Sequence, residues 1–119
     1  MRELAAVFVG GALGALARTG IAEAWPVVPG QWPWATFVVN VAGCLALGAV
    51  LGLTAPGTVR RGLLGAGLCG GMTTFSALQL ELVDLLRDGD PGLAAGYAAA
   101  TLAAGLIALD TGRRLAGAR

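Results

Sequence analysis

The chain has 119 residues, with eight basic and seven acidic side chains, so no bulk charge points to nucleic acid or to an acidic partner. Hydrophobic residues make up 56% and charged residues 13%, and the mean hydropathy is +0.76, which is too little charge to coat a soluble domain of this size. With no histidine, no nucleophile–base pair and no cluster of metal-ligating residues, the composition also argues against an enzyme.

Apolar runs of about 20 residues recur along the chain and mark transmembrane helices. Four spans are expected, at 4–24, 33–54, 61–86 and 92–112, forming one all-α membrane domain over 1–119 with no long linker. The first run is as long as the others and its glycine pattern recurs, so a cleaved signal peptide is not expected. Cys44 and Cys69 lie within apolar runs and read as reduced, buried small residues.

In the first span, GGALGALAR (10–18) places Gly10, Gly14 and Arg18 on one helix face. An arginine inside a span costs at least a few kcal/mol unless it is paired, hydrated or snorkelling. Arg18 therefore either reaches for the interface or builds an electropositive vestibule that draws anions inward. The turn WPVVPGQWP (25–33) follows, rich in proline and interfacial tryptophan. The second span contains ATFVVNVAG (35–43), where Thr36, Asn40 and Gly43 share a face near mid-span. A carboxamide in hydrocarbon demands partners; Asn40 is either glue between helices or a neutral N–H donor lining a pore.

After the turn TAPGTVRR (54–61), an unbroken third helix over 61–86 would be ~39 Å long at 1.5 Å per residue, against a hydrocarbon core of ~30 Å. Within it, GGMTTFSALQLE (70–81) is a poor helix interior, and a break is expected there. Broken backbone at membrane depth is tolerated where it is buried in protein or lines a cavity, and its freed carbonyls and N–H groups can face ions. Glu81, Asp84, Arg87 and Asp88 mark the approach to water, with Glu81 close enough to the core to bond within the protein. The turn RDGDPG (87–92) leads to the fourth span, and the tail DTGRRLAGAR is too polar to continue inward.

The chain carries twenty glycines, with GxxxG spacing at Gly10/Gly14, Gly48/Gly52, Gly67/Gly71 and Gly92/Gly96. In lipid such residues permit close helix contact. Four short helices enclose little, so a dimer is the expected functional unit. Arg2, Arg60, Arg61, Arg113, Arg114 and Arg119 lie on one side of the membrane, against Arg18 and Arg87 on the other. That bias predicts both termini in the cytoplasm, for a multi-pass protein of the cell membrane.

GGALGALAR, ATFVVNVAG and GGMTTFSALQLE, in that order and one per span, resemble the GGxxGAxxR, GTLxVNxxG and GGxTTFSTFxxE motifs of the Fluc/CrcB family of fluoride channels. The resemblance covers essentially the whole chain. It implies a dual-topology dimer of antiparallel subunits with a broken third helix, narrow fluoride pores, and a structural Na+ ion at the dimer centre. The sodium ligands would be the backbone carbonyls of Gly70 and Thr73. Asn40 would be the pore asparagine, with Thr36 beside it; Phe75 would be the first of two pore phenylalanines. Ser76 would belong to a polar track, Arg18 to the vestibule, and Glu81 would be the acid that closes the motif. Fluoride is small and strongly hydrated, so it leaves water only for replacement hydrogen bonds; amides, hydroxyls and the electropositive edge of an aromatic ring supply them without a trapping charge. Efflux would be passive, since no nucleotide-binding motif is present.

Two departures stand out. The family's second phenylalanine and neighbouring threonine fall at Leu78 and Ala77. The arginine bias of six to two is also large for a subunit that inserts both ways. A homodimer and a heterodimer with an oppositely oriented homologue both stay open. The rival readings are a small multidrug-type four-span exporter, disfavoured because no carboxylate lies between Glu3 and Glu23 in the first span, and a non-conducting partner or scaffold subunit.

Overall fold

In a bilayer core the backbone must satisfy its own hydrogen bonds, and helices do so within one segment. A computed structural model describes residues 1–117, and among these every regular element is helical. Four segments are long and apolar enough to span a membrane: Arg2–Ala24, Trp34–Leu53, Val59–Arg87 and Pro91–Gly117. Arg119, one of the residues in the charge bias, lies outside the described residues.

Helices α1 (Arg2–Ala24) and α2 (Trp34–Leu53) are continuous. The third span is composite. It opens with Val59–Arg61, widens into a π-helical stretch over Gly62–Cys69 and returns to α geometry over Gly70–Met72; these three pieces are α3. Thr73 and Thr74 are extended, and α4 (Phe75–Arg87) completes the span. Each connection between spans turns on one glycine of positive φ: Gly30 at 74°, Gly57 at 73° and Gly89 at 80°. These follow Pro29, Pro56 and Asp88, the pairings that tight turns favour.

The last helix, α5 (Pro91–Gly117), outruns the apolar stretch expected to end near 112. Polar sequence ends the membrane span without ending the helix: Arg114 Nε donates to Asp110 Oδ2 at 2.6 Å, one turn away on an exposed face.

The helices pair through glycine. α1 lies along α3, where a Cβ on Gly14 would stand 2.7 Å from the Met72 nitrogen, and one on Gly10 would stand 2.9 Å from the Leu68 nitrogen. Gly71 meets the Gly11 backbone from the other side. α2 lies along α5 in the same way, with Gly48 against Leu109 and Arg113 and with Gly112 against Leu45 and Ala49. The pair Gly92/Gly96 differs: a side chain at Gly96 would meet open space, so among the described residues this GxxxG makes no helix contact. Spacing alone does not tell which face of a helix its neighbour covers.

A side-chain core closes the end of the bundle near the 25–33 turn. Leu78, Leu85, Ala94 and Tyr97 are buried there, with Trp32, Phe37, Leu82 and Leu93 packed around them. Trp32 turns inward, edge-on to Tyr97 at a centroid distance of 5.3 Å and to Phe37 at 5.5 Å. Trp25 and Trp34 stay exposed, as interfacial aromatics do.

Gly14→Leu and Gly112→Leu are expected to cost about 1–3 kcal/mol or more, because the partner at each site is backbone and cannot yield. Gly96→Leu is expected to leave the protomer's unfolding midpoint in detergent unchanged. Thermal unfolding of the three variants in parallel checks the contrast.

Candidate functional site

The site begins with two backbone residues that leave the helix. Thr73 has φ −73° and ψ 150°, and Thr74 has φ −143° and ψ 115°. Both are β-branched, and their hydroxyls compete for backbone partners. Thr73 Oγ1 donates to the Cys69 carbonyl at 3.0 Å, while Thr74 Oγ1 accepts the Ala77 N–H at 3.2 Å and so caps α4.

In a continuous α-helix the Thr74 N–H would bond the Gly70 carbonyl and the Phe75 N–H would bond the Gly71 carbonyl. The extended pair breaks both bonds, and side chains from the neighbouring helices replace the partners. Asn40 on α2 accepts the Thr74 N–H on Oδ1 at 2.7 Å and donates Nδ2 to the Thr74 carbonyl at 3.1 Å. Its amide pairs with the Thr74 backbone much as an adjacent strand would. Arg18 on α1 donates Nε to the Gly71 carbonyl at 3.3 Å. The Gly70 carbonyl, deprived of Thr74, receives a long contact of 3.4 Å from Thr73 Oγ1, and Gly70 itself is exposed.

A second polar cluster sits two turns along α4. Glu81 Oε1 accepts the Thr36 hydroxyl at 2.6 Å, and Oε2 accepts the Tyr97 hydroxyl at 2.7 Å. Short hydroxyl-to-carboxylate bonds of this kind are about twice as strong as neutral ones. They tie α4 to α2 and α5 at one point. Tyr97 is completely buried, so its ring holds that point in the side-chain core.

Three cavities surround these clusters. A groove of about 310 Å³ is lined by Asn40, Thr73, Thr74, Phe75, Leu78 and Thr101, among others. Thr101 is 7% exposed and its Oγ1 has no hydrogen-bond partner among the described residues. Phe75 is 68% exposed, so its ring stands at the rim of the groove. A smaller cavity of about 50 Å³ on the α1 side is lined by Arg18, Thr36, Thr74 and Ala77, with Ala22, Ala35 and Val39. A mouth of about 370 Å³ between the 27–33 turn and the end of α4 reaches Glu81, with Asp84, Arg87 and Asp88 in its wall.

The residues singled out from the sequence thus fall into separate places. Asn40, Thr73 and Phe75 share the groove, while Arg18 and Thr36 share the smaller cavity. Ser76 is exposed in the first turn of α4, its Oγ 3.3 Å from Thr74 Oγ1. Ala77 and Leu78 part company: Ala77 faces the Arg18 cavity, and Leu78 lines the groove, 5% exposed. Adjacent residues on a helix point about 100° apart, so the two departures from the family pattern act on different cavities.

Sequence reading passed over Thr74, Tyr97 and Thr101. A signal existed for two of them: in GYAAATLAAG, Tyr97 and Thr101 are polar residues one turn apart in an otherwise apolar run. Chemically the groove offers neutral donors only. Asn40 has a second Nδ2–H beyond the one given to Thr74, Thr101 has a free hydroxyl, and Phe75 has a ring edge.

Asn40→Ala would leave the Thr74 N–H buried without a partner, at about 1–3 kcal/mol, while the Thr74 carbonyl keeps the first intrahelical bond of α4. Thr101→Val removes a hydroxyl that bonds nothing among the described residues and is expected to leave stability unchanged or raised. Unfolding midpoints in detergent check both.

Residues 5–113 match the family model described as "CrcB-like protein, Camphor Resistance (CrcB)". The chain is 46% identical over 118 residues to the protein named "Fluoride-specific ion channel FluC 1" of Mycolicibacterium paratuberculosis, covering 96% of this chain and 89% of that one. It is 48% identical over 115 residues to "Fluoride-specific ion channel FluC 2" of Nocardia farcinica, covering 92% and 82%. With "Fluoride-specific ion channel FluC 2" of Bacillus subtilis the figures are 45% over 124 residues, 98% and 92%. A match along nearly the whole length of a four-span chain, carrying the motifs that build both polar clusters, places this protein in the CrcB family.

Proposed function

We propose that this chain is a subunit of a fluoride-specific channel of the cell membrane, through which cytoplasmic fluoride leaks out passively and its toxicity falls. The observation that carries this reading is the groove beside the break, where an unpartnered Thr101 hydroxyl, the second N–H of Asn40 and the Phe75 ring edge meet without any fixed cation. A dehydrating fluoride ion needs short hydrogen bonds in place of water, and neutral donors hold it loosely enough to let it go. The names of the relatives point the same way.

The functional unit is a dimer. The groove is open and Phe75 is largely exposed, so one protomer supplies part of a wall that a second subunit, running antiparallel, closes. A structural sodium ion fits the break: Asn40 takes the Thr74 N–H away from the Gly70 carbonyl, which leaves that carbonyl at an exposed position. The Gly70 and Thr73 carbonyls would hold the ion together with two equivalent groups from the second subunit, which a twofold arrangement supplies. When bound, sodium provides a fixed positive charge that ties the two broken helices together; it is not transported.

Arg18 and Thr36 border the approach from the α1 side, and Glu81 keeps the Thr36 and Tyr97 hydroxyls in place. Leu78 lines the groove where the family pattern has a second ring, and the arginine bias favours one orientation with both termini cytoplasmic. Both features favour a heterodimer with an oppositely oriented homologue over a homodimer.

Fluoride efflux from proteoliposomes tests the proposal, with chloride as the control anion and sodium removed in a parallel sample. The expected result is fluoride flux far above chloride flux, abolished without sodium; equal flux of the two anions overturns the reading. Robust flux from this chain alone would sink an obligate heterodimer. Phe75→Ala is expected to cut fluoride flux at least tenfold while leaving protomer stability unchanged, since the ring is mostly outside the protomer's core.

A further inference from the structure

Arg18 sits on the face of α1 that carries Gly10 and Gly14, one turn beyond Gly14. Gly14 packs directly on the backbone of 71–72, so the two helices are in backbone contact one turn before the arginine. That register delivers the Arg18 side chain to the last turn of α3, where the chain leaves helical geometry. There Nε lies 3.3 Å from the Gly71 carbonyl, whose helical partner would have been the Phe75 N–H. The guanidinium takes the place of that lost donor. A buried carbonyl without a donor costs free energy, and a charge-assisted bond from arginine is a strong replacement.

From this geometry we infer that Arg18 is a positioning residue for the break between α3 and α4: its Nε–H substitutes for the missing helical donor at Gly71 and so aims the Gly70–Thr74 backbone. The inference rests on the channel reading for its functional consequence, but the bond itself does not. Arg18 and Asn40 act on opposite sides of the extended pair. Asn40 holds Thr74 from α2 and Arg18 holds Gly71 from α1, while Gly70, just before Gly71, sits at an exposed position. Losing either hold lets the freed N–H and carbonyl groups reorient, and with them Thr73, Thr74 and Phe75, which line the groove.

A general electropositive role needs only the charge of Arg18. A positioning role needs the planar guanidinium, because the bond runs from Nε while the terminal nitrogens remain free for the small cavity bounded by Thr36, Thr74 and Ala77. Lysine keeps the charge and lacks that geometry. Ala77 gives an independent handle: it lines the same small cavity, where a leucine side chain would crowd the guanidinium. Ala77→Leu therefore displaces Arg18 without removing it.

Hydrogen–deuterium exchange of the 70–78 peptide in nanodiscs reads how firmly the backbone amides of the break are held, whatever the channel conducts. The expected result is at least tenfold faster exchange in Arg18→Lys and Arg18→Gln alike, with the other spans unchanged. Wild-type exchange in Arg18→Lys overturns the inference. Where neither arginine variant yields folded protein, Ala77→Leu decides, with faster exchange in 70–78 expected and wild-type exchange overturning. In proteoliposomes, with the partner chain where one is required, Arg18→Lys is expected to raise the sodium concentration for half-maximal fluoride flux several-fold, independent of ionic strength. A sodium response matching wild type, with a defect that added salt reproduces, overturns positioning in favour of a field effect. Absence of fluoride flux from the wild-type protein counts against the channel reading alone, because the exchange result still decides whether Arg18 positions the break.

Discussion

The rest of this structure depends on two peptide units that cannot hydrogen-bond as a helix does. In water such a break is trivial; at membrane depth each unpaired N–H or C=O costs several kcal/mol. Thr73 and Thr74 are nevertheless extended, and the protein meets the cost from three directions. The threonine hydroxyls serve the chain locally, Asn40 serves Thr74 across from α2, and Arg18 serves Gly71 across from α1. The polar residues that look out of place in apolar helices are largely accounted for by this one requirement.

The break sets where everything else can lie. Asn40 and Arg18 reach it only because α1 and α2 run close to the third span. For α1, Gly10, Gly14 and Gly71 reduce the separation to backbone contact. Below the break, α4 is free to tilt away from the axis of α3, and Glu81 restrains it by accepting hydroxyls from both α2 and α5. Tyr97 joins that carboxylate to the aromatic core around Trp32. The polar cluster and the packed core are therefore one mechanical unit, and the groove beside Phe75 is bounded by α2, the break and α5.

Polar satisfaction also separates structural from functional groups. Asn40 Oδ1, the Thr36 and Tyr97 hydroxyls and Arg18 Nε all have partners inside the protomer. Thr101 Oγ1 and Trp32 Nε1 are buried and have none among the described residues, and of the two it is Thr101 that lines the groove. Two departures from the family motifs gain meaning from the same geometry. Ala77 lines the cavity around Arg18, whereas Leu78 presents aliphatic surface to the groove.

Composition and hydropathy by themselves determined the class, the four spans and the turns, because the cost of exposing backbone and charge to hydrocarbon is local and leaves its mark residue by residue. The motifs determined the family. The tertiary structure alone decided what each polar residue bonds: that Asn40 grips the Thr74 backbone, that Glu81 joins Thr36 to Tyr97, that Trp32 folds inward, and that neighbours Ala77 and Leu78 face different cavities. It likewise decided that the α5 helix runs on to Gly117 and that Gly92 and Gly96 pack against no other helix among the described residues. The physical reason is common to all of these. A hydrogen bond or a glycine contact is a relation between two helices, fixed by their rotation and depth, and a one-dimensional pattern specifies a face of each helix but not the face that meets it.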